Sequence, residues 1–106
     1  MEIINLTPHD VTVILDGNVT KTIKSSGTIA RCSQTSKELG PLGDIPLVAT
    51  IFGDVVGLPD PQDDVWYIVS RIVMNALPLR RDLLVPNDLV RDNDGNIIGC
   101  RSFSIN

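Results

Sequence analysis

Val11-Thr12-Val13-Ile14-Leu15 and Val19-Thr20-Lys21-Thr22-Ile23 flank Asp16-Gly17-Asn18, and this stretch decides the fold class. β-Branched residues alternate with their neighbours on both sides, the period of a half-buried strand rather than of a helix. The central glycine supplies the positive φ of a tight turn, so the segment predicts a β-hairpin.

The same grammar extends outward in both directions. Glu2–Leu6 predicts a strand, closed at Thr7-Pro8-His9-Asp10 because proline cannot pair regularly and holds Thr7 extended. After a turn at Ser25-Ser26-Gly27, Thr28–Ser33 alternates so that Ala30 and Cys32 share one face and Arg31 takes the other. Two glycines and two prolines make Gly40–Pro46 a loop that cannot belong to a central strand. Leu47–Phe52 then reads as a buried strand, Gly57–Asp64 as a surface loop and Val65–Val69 as a further strand. From Ser70, a good N-cap, the residues Ile72, Val73, Met74 and Ala76 suit one or two helical turns that Pro78 stops. Asp92–Asn96 predicts a last hairpin turn between Leu89–Arg91 and Ile97–Phe103. The expectation is a mainly β fold, a small barrel or sandwich of about seven short strands with one short helix.

Composition bounds the rest. With 106 residues, 42% of them hydrophobic, the chain suits one domain spanning 1–106. A net charge of −4 and a pI near 4.7 argue against wholesale binding of DNA, RNA or anionic membranes, which need a dominant positive field. No apolar run is long enough to span a bilayer and Met1-Glu2-Ile3-Ile4-Asn5 lacks a signal peptide's pattern, so a cytoplasmic location is expected. Cys32 and Cys100, far apart in apolar-alternating runs, read as reduced core thiols.

Chemistry-bearing residues gather at turns. Trp66-Tyr67-Ile68-Val69-Ser70 leads into a proline bend that delivers Arg80-Arg81-Asp82. Guanidinium offers a planar fork for carboxylate or phosphate and Asp82 can fix its rotamer, so the bend reads as an anion clamp, the alternative being a surface ion pair. Six arginines against three lysines favour shaped hydrogen-bond recognition, and Arg31 is a candidate contributor. Neighbours on a strand face opposite ways, so of the two aromatics Trp66 is expected to pack while Tyr67 points to a cleft or a partner subunit. His9, the single histidine, is either a general base or hydrogen-bonding group or an exposed loop residue. Asp92-Asn93-Asp94 fails the calcium-loop spacing, since Gly95 comes two places early and Phe103 stands where a bidentate glutamate belongs. No nucleophile stands beside a base, and no metal set or cofactor motif is present in the sequence, so an enzyme is not expected.

Asn5-Leu6-Thr7-Pro8-His9, Ser26-Gly27-Thr28-Ile29-Ala30-Arg31, Gly57-Leu58-Pro59-Asp60-Pro61, Tyr67-Ile68-Val69-Ser70, Arg81-Asp82-Leu83 and Val90-Arg91-Asp92 together resemble a group of small proteins carried by bacteriophages and prophages, with an opening of the form N-L-T-P-H. The resemblance covers nearly the whole chain, and no single motif in it is diagnostic of a known chemistry. It implies an accessory factor acting in an infected bacterial cell, either by occupying a host protein or by sequestering a nucleotide immune signal. Phosphates, an adenine face and ribose hydroxyls match arginines, one aromatic and several Ser, Thr and Asn groups. The expected function is therefore a non-enzymatic, homo-oligomeric sponge for a cyclic nucleotide or ADP-ribose derivative. Its candidate ligand residues are Asn5, Thr7, His9, Arg31, Tyr67, Ser70, Arg80, Arg81 and Asp82. The rival expectations are an interaction module that docks the Leu58–Asp64 loop and the Arg80-Arg81 bend on a host enzyme, and a minor phage structural or assembly protein.

Overall fold

A computed structural model describes residues 1–106. The elements run β1 (Glu2–Asn5), β2 (Val11–Ile14), β3 (Thr20–Ile23), β4 (Arg31–Leu42), β5 (Ile45–Val56), β6 (Val65–Ile68), α1 (Arg71–Ala76), β7 (Leu83–Arg91) and β8 (Ile97–Ser104). The chain is mainly β with one short helix, and it has eight strands. Six of them form a mixed sheet in the order β1-β6-β7-β8-β2-β3, while β4 and β5 pair only with each other.

The Val11–Ile23 hairpin forms as read, with Val11 opposite Ile23 and Ile14 opposite Thr20. Its connection is a single 3-10 turn in which Gly17 takes φ +73°. The opposite end of the sheet is built differently, from two parallel pairings, β1 on β6 and β6 on β7, while β2 meets β8 in parallel at a single pair. Parallel neighbours cannot be joined by a tight turn and need a crossover of about a dozen residues. Residues 69–82 are that crossover. Ser70 begins α1 by accepting a hydrogen bond from the Val73 amide at 3.3 Å, and the helix ends before Pro78, whose ring disfavours the α conformation in Leu77. A turn closed by the Arg80 amide on the Leu77 carbonyl at 3.1 Å then returns the chain to the sheet, where the Tyr67 amide donates to the Asp82 carbonyl at 2.9 Å.

The buried cluster lies between α1 and one face of this sheet: Leu6, Ala30, Tyr67, Val69, Val73, Met74, Leu83 and Val85. Tyr67 is fully buried, whereas Trp66 is only partly covered, the reverse of the sequence expectation. Packing of β6 against α1 decides it: Val65, Tyr67 and Val69 share the α1 face, and the period of two then leaves Trp66 on the other side of β6 at its open end.

Leu47–Phe52, expected as a buried strand, is instead the exposed middle of β5, because β5 has no neighbour except β4. The strand expected over Thr28–Ser33 starts at Arg31 and continues to Leu42, absorbing much of the expected Gly40–Pro46 loop. Pro41 sits opposite Pro46, a pairing tolerated because both strands are edges and neither proline is asked for a donor by a third strand. Only Gly43 and Asp44 remain as the turn, with Gly43 at φ +64°. Twelve residues per strand make a ribbon roughly 40 Å long. The molecule is accordingly elongated, 53 × 38 × 21 Å with a radius of gyration of 16.6 Å, against about 13 Å for a compact chain of this length.

Cys32 and Val55 at the ribbon's root pack on the buried cluster, and Arg31 faces away as the alternation requires. Just beyond the root, Gly57 holds φ +82° with its backbone against Ile29, so that a Cβ there would collide with the Ile29 carbonyl oxygen. Gly57→Ala combines a left-handed φ with a clash against main chain that cannot rotate away. It is expected to cost about 2 kcal/mol or more, read as a lower urea midpoint at unchanged slope.

Candidate functional site

The structure divides the candidate residues between two ends of β6. Asn5 is opposite Ile68 and Glu2 opposite Val65, so Asn5, Thr7 and His9 lie beyond the end where β6 leads into Ser70. Arg80, Arg81 and Asp82 return to the end where β6 starts. The two groups are separated by the length of the strand, roughly 10 Å.

The first group is a pin in the fold. Asn5 is 1% exposed, and its amide nitrogen donates to the carbonyls of His9 at 2.8 Å and Ile23 at 2.9 Å. Its Oδ1 accepts from the Thr7 amide at 3.0 Å and the Thr7 hydroxyl at 2.6 Å. Ser25 completes the junction, its hydroxyl donating to the Thr7 carbonyl at 2.7 Å while its amide donates to Asp10 Oδ1 at 2.9 Å. The N-L-T-P-H opening therefore ties β1, the end of β3 and the Ser25 turn together, and Asn5 and Thr7 have their polar groups committed within the chain. His9 contributes its main chain to the pin and leaves its ring exposed. Ser70 is committed to the helix cap.

The second group borders an open cleft of about 520 Å³ lined by Pro61, Gln62, Asp63, Asp64, Val65, Trp66, Leu79, Arg80, Arg81 and Asp82. Arg80 meets Asp82 side-on, Nε to Oδ1 and Nη2 to Oδ2, both at 2.8 Å, and Nη2 also reaches the Pro59 carbonyl at 3.1 Å. With side chains only 20% and 17% exposed, this is a fixed element of the wall, built from two parallel charge-assisted bonds. Arg81 is turned the other way, its Nη1 donating to the Asn106 carbonyl at 3.1 Å. Asn106 also braces the bend: its amide nitrogen donates to the carbonyls of Leu77 and Arg80, each at 2.9 Å. Nothing in the local sequence signals that role, which depends on a residue 26 positions from Arg80. Trp66 is the aromatic that borders the cleft. Tyr67, offered by the sequence for stacking, has both ring faces buried and its hydroxyl accepting from Gln62 Nε2 at 3.4 Å.

The hydrogen bonds from Arg80 hold the Asp82 carboxyl below the usual carboxylate range, and the same contact raises the Arg80 guanidinium. A folded-state value below the unfolded one stabilises the fold above the unfolded carboxylate range near pH 4. That contribution is lost as pH falls through the lower folded value. Asp82→Asn is therefore expected to lose about 1–2 kcal/mol at pH 7. The gap should narrow as pH falls below the unfolded carboxylate range, which urea melts at neutral and acid pH would read.

Elsewhere the ionic structure is sparse. Of the six arginines, Arg80 alone is paired with a carboxylate. Arg31, Arg71 and Arg101 make no side-chain hydrogen bond within the chain, and all three are exposed. Burial pushes the Cys100 thiol up, away from nucleophilic use; Cys100 and the partly buried Cys32 are both free. No group of three or more His, Cys, Asp or Glu side chains is placed to hold a metal ion, and no helix is long and apolar enough to cross a membrane. Compared with protein-family models, curated proteins and solved structures, the chain matches none.

Proposed function

We propose that the chain is a non-enzymatic binding protein of the bacteriophage type, which captures a nucleotide-derived immune signal and so withdraws it from a host defence response. The pairing state of the arginines carries this reading. In a chain with thirteen acidic and nine basic side chains, five of six guanidiniums have no side-chain carboxylate partner, and guanidinium forks free of a carboxylate are the groups that phosphates recruit. Arg81 stands at a cleft wide enough for a nucleotide, with Trp66 on its wall to stack a base and Gln62 to meet a ribose or base edge. Arg80 and Asp82 neutralise each other and serve as a rigid backing. Since Asp63 and Asp64 also border the cleft, a single copy offers little net positive field there. Capture therefore takes place beside a subunit contact, where a second copy adds cationic groups.

Calorimetry with cyclic nucleotides and ADP-ribose isomers tests the reading. One ligand class is expected to give heat, with affinity falling tenfold or more in Arg81→Ala and in Trp66→Ala. Uniform absence of heat across the panel would sink it. A second reading, docking on a host protein, is favoured by Leu79, which is 90% exposed at the tip of the bend and lines the same cleft as both arginines. That reading expects a stable complex with a host enzyme that Leu79→Asp abolishes.

A further inference from the structure

The β4–β5 ribbon leaves the body with its apolar side chains uncovered. Leu39, Leu42, Ile45, Leu47, Val48 and Ile51 are 40–63% exposed, and they sit on a two-stranded unit with two free edges. Such a ribbon is marginal in water by itself, since two strands alone do not bury enough apolar surface to offset ordering, and a long exposed apolar edge invites pairing. Residues 39–52 hold a single charged side chain, Asp44, in a chain that is 21% charged. Lys37 and Glu38, across from Ala49 and Val48, cancel in charge, so two acidic copies meeting along this surface would repel little.

We propose that the ribbon is an arm that clasps a second copy of the chain, the two arms exchanging across a twofold axis. Area selects this occupant. Leu42, Ile45, Leu47 and Ile51 share one face of the arm, and each half-exposed aliphatic side chain offers on the order of 60–100 Å², so that face presents roughly 300 Å². Laid on an unrelated protein, one arm would remove about 600 Å² in total, below what a specific contact needs. Two exchanged arms remove about 1,200 Å², where specific interfaces begin. The body also carries a surface suited to receive an arm: Leu89, Ile97 and Ile98 are 44–55% exposed and line a shallow groove with Val11 and Pro86. A chain with both an apolar arm and an apolar groove is self-complementary, as a twofold contact requires. The inference goes beyond the capture reading, since this contact is apolar and shares no residue with the Arg81 cleft. It is read by mass rather than by ligand heat, so the two ideas fail separately.

Light scattering after gel filtration of the full chain without ligand provides the test. A dimer of about twice 11.5 kDa, or a larger even assembly, is expected for the wild type. The double substitution Leu47→Glu with Ile51→Glu, on one face of the arm, is expected to return 11.5 kDa monomers, and Ile98→Glu in the groove to weaken the assembly. Hydrogen exchange on the wild type is a second readout that needs no variant: arm amides should be protected at 100 µM and lose protection at sub-micromolar concentration. A wild-type monomer, an assembly indifferent to the arm substitutions, arm exchange independent of concentration, or a chain that pairs only with a host protein would each overturn the clasp.

Discussion

Asn5→Leu is expected to lower stability by about 3–5 kcal/mol, on the order of 20 °C in Tm for a chain of this size. The side chain is 1% exposed and serves four hydrogen bonds. Leucine fills the volume but leaves the carbonyls of His9 and Ile23 and the Thr7 amide without their partner. Each orphaned group costs its own desolvation, which exceeds the net worth of the bond that was made. Thr7→Val, which removes only the hydroxyl, is the graded control and is expected to cost about 1 kcal/mol. The measurement is thermal and urea unfolding followed by circular dichroism. If Asn5 were a ligand residue held at the surface, the substitution would leave Tm unchanged.

Tyr67→Ala carries the second large effect, about 3–5 kcal/mol, because it empties the middle of the one buried cluster beneath α1. Tyr67→Phe is expected to cost under about 1 kcal/mol, since the hydroxyl has only one long partner, Gln62 at 3.4 Å. The pair separates packing from recognition. Ligand affinity in Tyr67→Phe should match the wild type, while Trp66→Ala should lose affinity and retain the cooperative unfolding transition. Equal affinity loss in Tyr67→Phe and Trp66→Ala would contradict the division of labour between the two aromatics.

What the sequence disclosed about this fold was local. The Val11–Ile23 hairpin, the Ser70 cap and the stop at Pro78 each depend on residues within a few positions of one another, and turn chemistry and the period of two describe them fully. The choice of which aromatic is buried was not local. Trp66 and Tyr67 obey the alternation equally well in either assignment, and the contact of β6 with α1 and β7 decides between them. The length of the ribbon was hidden for a related reason. Ser33-Gln34-Thr35-Ser36 has no apolar period because neither of its faces meets the body, and Gly40, Pro41 and Pro46 suggest a loop unless the two prolines are known to face each other. Pro86 likewise obscured the start of β7, which tolerates it because β6 pairs only with Leu83 and Leu84 and leaves that side of the strand without a neighbour.

The candidate site was legible in part. Arg80-Arg81-Asp82 could be read as an anion clamp or as an ion pair, and Arg80 with Asp82 does form an ion pair, but the spacing could not say which arginine Asp82 would take. The side-on Arg80 pair leaves Arg81 as the outward-facing cation. The N-L-T-P-H opening was misleading as a ligand motif because buried polar residues and binding residues draw on the same side chains. Asn and Thr are as suited to closing a junction of three segments as to holding a ribose.

Capture without turnover is the centre of the account, and its most direct test is mass spectrometry of small molecules released on denaturation. The purified chain would first be exposed to a lysate in which a nucleotide-signalling defence has been triggered. The expected result is one intact nucleotide species, stoichiometric with protein, and absent when Arg81→Ala is carried through the same procedure. Release of nothing above the level of the variant, or of hydrolysed fragments in place of the intact signal, would contradict it.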